Sequence, residues 1–115
     1  KNILLSFKKN NVLIGYGGLV HISWENKRSE ISFIMGDIDE NDDTYKQKFK
    51  IFFILLKKIA FKDLSFKKIY VETFIQRKRH IKILELFGFK KEGKLKKHYY
   101  LNNLYVDSVL HSYIK

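Results

Sequence analysis

The sequence predicts an α+β fold with a mixed, mostly antiparallel sheet in the order βββαβαββ, and three observations carry that prediction. Hairpin signals stand at both ends, Lys9-Asn10-Asn11 near the start and Asn102-Asn103 near the finish. Between them lies a single strand-helix-strand crossover, the unit that makes two strands parallel. The crossover helix is announced by Tyr45, Phe49, Phe52, Phe53, Leu56, Ile59 and Ala60, which recur at helical spacing between Thr44 and Leu64.

Taken in order, Asn2 to Lys8 reads as a first strand, and Val12 to Trp24 as a second, β-rich one softened by Gly15, Gly17 and Gly18. Glu25-Asn26-Lys27 turns the chain into a third strand, Arg28 to Met35, and an acidic loop, Gly36 to Asp43, follows. The long helix has acids before its first turn and Lys57, Lys58 and Lys62 toward its end, as the helix dipole favours. Lys68 to Phe74 alternates as a strand. Lys78 to Phe87 is a short helix stopped by Gly88, with Phe89 placed for the apolar contact of a glycine-terminated helix. Glu92 to Leu101 and Tyr105 to Ile114 flank Asn102-Asn103 as the closing hairpin.

With 115 residues, 45% of them apolar and 30% charged, the chain fits one globular domain and falls outside the disordered and fibrous classes. It has no cysteine, so no disulfide framework and no thiolate zinc site is possible, and no metal site is expected. The longest apolar run, Ile51 to Leu56, is far short of a bilayer span, and the amino terminus lacks a signal-peptide layout. A soluble, cytoplasmic protein that does not engage membrane is the expectation.

The formal charge of +11 invites a nucleic-acid reading. Two facts count against it. Only Arg28, Arg77 and Arg79 are arginines among 23 basic residues, and base-edge recognition favours Arg. The charge is also uneven, because Asp37, Asp39, Glu40, Asp42 and Asp43 hold five of the twelve acids. A small ligand bearing phosphate explains the charge as well as a polymer does.

The segments Ile14-Gly15-Tyr16-Gly17-Gly18-Leu19-Val20, Ser29-Glu30-Ile31-Ser32-Phe33, Ala60-Phe61, Lys68-Ile69-Tyr70-Val71-Glu72-Thr73 and Tyr105-Val106-Asp107 follow one another in a telling order. Most specific is Ile83 to Leu95, where a helix closes on Gly88-Phe89 and the next strand enters with Glu92-Gly93. Together they resemble the GNAT superfamily of N-acetyltransferases over essentially the whole chain. The resemblance implies a three-layer domain with helices on both faces of a sheet splayed between the strand ending at Met35 and the strand ending at Phe74. It implies transfer of an acetyl group from acetyl-CoA to a primary amine, the nearest members being bacterial transferases that act on amino sugars or other small amines. Family members begin with one further strand and two helices. This chain starts, without a methionine, at what looks like the family's second strand, so a single domain over 1–115, shortened at its amino end, is expected. A homo-oligomer is left open. The alternative is a non-catalytic acetyltransferase-like domain that binds a ligand or another chain, with nucleic-acid binding a distant third.

The resemblance also assigns candidate residues. The pantetheine arm would enter between the strand carrying Glu30 and the strand carrying Glu72, with Phe33, Ile34 and Met35 along its path; either carboxylate could accept the ammonium proton, Glu30 being the first choice. The pyrophosphate would meet the first turn of the long helix at the amides of Tyr45, Lys46, Gln47 and Lys48. The family's glycine-containing signature there would fall on Thr44, Gln47 and Phe49, and none matches. The family's thiolate-protonating tyrosine falls on Leu84, so Tyr99, Tyr100, Tyr105 and His98 are the nearby substitutes, each more readily read as a strand-packing side chain, as are Tyr16, His21 and Trp24. Arg77 and His80 occupy the family's positions at the start of the last helix. Arg77, Arg79 and Lys82 would either contact CoA phosphates or stand as solvated helix residues.

Overall fold

The computed structural model describes residues 2–9, 11–35 and 43–115. The acidic stretch expected as a loop after Met35 lies outside them up to position 42, as does Asn10 of the first turn.

Six strands form one sheet in the spatial order β1-β2-β3-β4-β6-β5. These are β1 (Ile3–Lys9), β2 (Val12–Ser23), β3 (Arg28–Met35), β4 (Lys68–Phe74), β5 (Lys90–Leu101) and β6 (Leu104–Ile114). Helix α1 (Asp43–Lys57) joins β3 to β4, and α2 (Lys78–Leu86) joins β4 to β5. Only β3 and β4 pair in parallel; every other neighbouring pair is antiparallel. The class and the element order are those the sequence predicts.

The closing hairpin turns where Asn102 and Asn103 adopt φ of 51° and 64°, the left-handed pair a tight two-residue turn requires. Gly88 takes φ of 100° after α2, the Gly88 N–H donates to Glu85 O at 3.1 Å, and the Phe89 N–H donates to Leu84 O at 3.0 Å. That is the glycine-terminated helix end read from the sequence, and Phe89 and Leu84 both join the core.

Two expectations are corrected. The helix expected to run unbroken from Thr44 to Leu64 is α-helical only to Lys57; one π-helical turn over Lys58–Asp63 follows, closed by Leu64 N–H donating to Ile59 O at 2.9 Å. The wider turn lets the successive residues Ala60 and Phe61 both enter the core, where Phe61 stacks on Tyr113 at 5.8 Å. The helices expected on both faces share one face instead. From α1, Lys57 donates to the Tyr113 hydroxyl, while from α2, Glu85 accepts from His111, two residues away on the same side of β6. The cause is handedness. Both crossovers, β3 to β4 and β4 to β5, advance the same way along the sheet, and right-handed connections then fall on the same side.

The core is aromatic. Phe33, Phe49, Phe52, Phe53, Phe87 and Phe89 interlock between α1, α2 and the sheet at centroid separations of 4.2 to 6.3 Å. Gly17 permits this contact, because a Cβ there would overlap the Phe52 ring. Gly17→Val should therefore cost about 1–3 kcal/mol or more through overpacking, seen as a lower midpoint in urea at unchanged slope. A wild-type midpoint would show that α1 does not sit this close to β2.

Candidate functional site

The parallel pair β3–β4 has only three register partners, Arg28 with Lys68, Ser29 with Ile69 and Glu30 with Tyr70. Beyond them β3 stays paired to β2 as far as Met35 with Gly15, and β4 to β6 as far as Phe74 with Ser108. The two strands therefore part in mid-sheet, their pairing ending at Glu30 and Tyr70. A cleft of about 310 Å³ fills the gap, with Glu30, Glu72, Phe33, Val71, Arg77 and His80 on its wall.

The structure brings Glu30 and Glu72 together there and gives each its own partners. His21 meets Glu30 through Nδ1 at 2.7 Å, the carboxylate fixing that nitrogen as the donor. His21 sits at φ of 49° within the irregularity between Val20 and Ser23, and this break in register turns its side chain onto Glu30. Glu72 accepts from Ser108 Oγ at 3.1 Å and lies 3.7 Å from His98 Nε2. The Tyr99 hydroxyl also donates to Glu72. That bond raises the Tyr99 pKa, with partial burial and the charges of Glu72 and Glu30 acting the same way, so the phenol keeps its proton at neutral pH. Phe74 packs edge-on against Tyr99 at 4.9 Å and holds the ring.

At the inner end of the cleft His80 is 4% exposed, and burial, then Arg77, then His111 push its pKa down to about 3. A neutral His80 accepts from the Tyr45 hydroxyl at 3.0 Å, while Arg77 donates to the same hydroxyl oxygen at 3.2 Å. Tyr45, expected with its neighbours at a phosphate-binding helix mouth, is thus a core side chain that ties α1 to α2. Lys46 and Gln47 line a separate groove between the helices with Lys50, Arg79 and Asp43, and Lys48 is half-buried outside it. Of the three residues expected along the pantetheine path, Phe33 faces the cleft, Ile34 is 63% exposed on the opposite face, and Met35 is described through its backbone pairing alone. Leu84, in the tyrosine's expected place, is fully buried.

His21, readable from sequence as a strand-packing aromatic, and Ser108, not singled out at all, are the site residues that sequence reasoning missed. No local signal marks them, because both reach their carboxylates through strand register. Among the described residues no cluster of side chains could hold a metal ion.

The model of the acetyltransferase (GNAT) domain matches residues 1–110. In three dimensions the chain is similar to the crystal structure of a probable acetyltransferase, with a TM-score of 0.83 at 21% identity, covering 100% of this chain and 63% of that one. It is also similar to mutant forms of the spermidine/spermine N-acetyltransferase SpeG from Vibrio cholerae, with a TM-score of 0.83 at 19% identity over 96% of this chain and 65% of that one. A dodecameric structure of the Vibrio cholerae spermidine N-acetyltransferase gives 0.77 at 20% identity over 90% and 58%. At these identities the likeness is one of fold, and the chain spans less than two thirds of each of these neighbours. No curated protein matches it in sequence.

Proposed function

Because the chain belongs to the GNAT family of acetyltransferase domains, we propose that it transfers the acetyl group of acetyl-CoA to a small primary amine. The observation that supports this most is the parting of β3 from β4 with Glu30 and Glu72 on the wall of the gap. The gap between the two parted strands suits an extended pantetheine arm, which can take main-chain hydrogen bonds as an added strand does, and Phe33 and Val71 give it an apolar wall. Bound there, acetyl-CoA supplies an activated acyl group on a thiol that leaves.

The chain's own residues do the rest. Two carboxylates in one cleft draw in a cationic acceptor. Glu30, steadied by His21, accepts the proton that an ammonium must lose before its nitrogen can attack. Tyr99, kept protonated by its bond to Glu72, gives a proton to the departing thiolate. Arg77 at the end of the cleft, with Lys46, Gln47 and Lys48 on the first turns of α1, would meet the CoA phosphates, and His80 holds Arg77 in place through Tyr45. Spermidine and amino sugars are the first acceptors to test, the former because structural neighbours are spermidine N-acetyltransferases. Action in the cytoplasm, and assembly of several copies as in the dodecameric neighbour, belong to the same reading; no helix among the described residues is long and apolar enough to cross a membrane.

Calorimetric titration should give acetyl-CoA binding in the micromolar range or weaker, about 8 kcal/mol or less, because the small residues of the family's phosphate turn are replaced by Gln47 and Phe49. Turnover on a panel of amines then identifies the acceptor. No heat at millimolar ligand would refute the reading. One observation favours a non-catalytic ligand-binding domain instead: the buried Leu84 where the family carries its acid. Acetyl-CoA binding without turnover on any amine would decide for it.

A further inference from the structure

A second concavity lies at the other end of β4 from the cleft, beside the pair Lys68–Ile114, where the π turn approaches the end of β6. Its volume is about 490 Å³. The floor is apolar: Phe61 stacks on Tyr113, and Ile54 and Ile114 border them with 55% and 66% of their surface open to solvent. The rim is cationic. Lys57, Lys58 and Lys62 come from the helix end and Lys115 from beyond β6, and no Asp or Glu side chain among the described residues lines the pocket.

Lys57 is already engaged, since its ammonium lies 5.3 Å from the Phe53 ring centroid and 5.0 Å from that of Tyr113. Lys58, Lys62 and Lys115 make no ion pair among the described residues. Complementing the negative end of α1 accounts for Lys57 and Lys58. It accounts neither for Lys115, which follows a strand, nor for an aromatic floor left open beside the charges. An apolar concavity of this size with a few convergent charges of one sign has the make-up of a ligand site, and the sign selects an anion.

We propose that this pocket binds an anionic amphiphile, a medium-chain aliphatic carboxylate, with its chain over Phe61, Tyr113 and Ile54 and its head group among Lys58, Lys62 and Lys115. The site is separate from the cleft and uses none of its residues.

The test is titration of the protein with decanoate below its micelle concentration, read by calorimetry and by amide chemical shifts. A Kd below about 1 mM is expected, with shifts centred on Ile54, Phe61 and Tyr113. Decylamine, with the same chain and the opposite charge, should bind at least ~10-fold more weakly, and Lys58→Gln/Lys62→Gln should weaken decanoate by ~10-fold with the fold intact by circular dichroism. Equal affinity for the two amphiphiles, no effect of the double variant, or shifts centred on Glu30 and Glu72 would overturn the assignment. So would vesicles of anionic lipid that bind through Lys58 and Lys62 while monomeric decanoate does not, because the occupant would then be a membrane surface.

Discussion

Acidification from pH 7 to pH 5 should lower the stability of this fold by about 2 kcal/mol through His80, and by about 4 kcal/mol near pH 3. His80 packs between Tyr45 and Phe49 of α1, faces Arg77 at the start of its own helix and lies near His111 of β6, so a proton on it meets the Arg77 charge at a buried site. Its folded pKa of about 3 lies below the ordinary 6.5, so the unfolded chain binds the proton first. The stabilisation is complete above 6.5 and is lost as pH falls from there toward 3. Glu92, held below the usual range by Ser112 and then Lys68, and Asp107, held down by the Lys97 N–H, contribute their own losses only below about pH 4.5. The interval from 6.5 to 5 therefore separates the His80 loss from those of the two carboxylates. His80→Gln retains an acceptor for the Tyr45 hydroxyl but cannot titrate, so its urea-derived stability should be nearly flat across that interval, whatever the substitution costs at pH 7. A variant that keeps the wild-type slope would place the acid sensitivity elsewhere.

Glu30→Gln should lower kcat with the best acceptor by ~100-fold or more while acetyl-CoA affinity changes little. The amide keeps the shape of the side chain and can still meet His21, but it cannot take a proton from an ammonium. Glu72→Gln is the comparison, and it also removes the charged acceptor of the Tyr99 hydroxyl. A larger loss for Glu72→Gln would exchange the roles of the carboxylates and leave the cleft assignment standing. Full activity in both variants would mean that the proton leaves through water or another group. Because the wild-type pair His21–Glu30 is exposed on the histidine side, at 75%, its 2.7 Å contact orients the carboxylate more than it stabilises the fold.

What the sequence by itself determined were the features written in neighbouring residues. The Asn102-Asn103 turn, the helix end at Gly88-Phe89, and the spans of β3 and β4 all follow from side-chain alternation or from a few residues that tolerate positive φ, and the structure has each of them in place. The meeting of Glu30 with Glu72 was legible too, since the two strands flank the long helix and such a crossover makes them parallel members of one sheet. Tertiary structure decided the rest. Whether α2 lies beside α1 or behind the sheet depends on where β5 inserts, beyond β6, which is settled by pairing partners far apart in the chain. Tyr45 has the periodicity of a core residue and the position of a helix mouth, and only the arrival of His80 and Arg77 from α2 makes it a core ligand. His21 and Ser108 reach their carboxylates through a register irregularity and a strand pairing, and register is fixed by whole sheets rather than by local propensity.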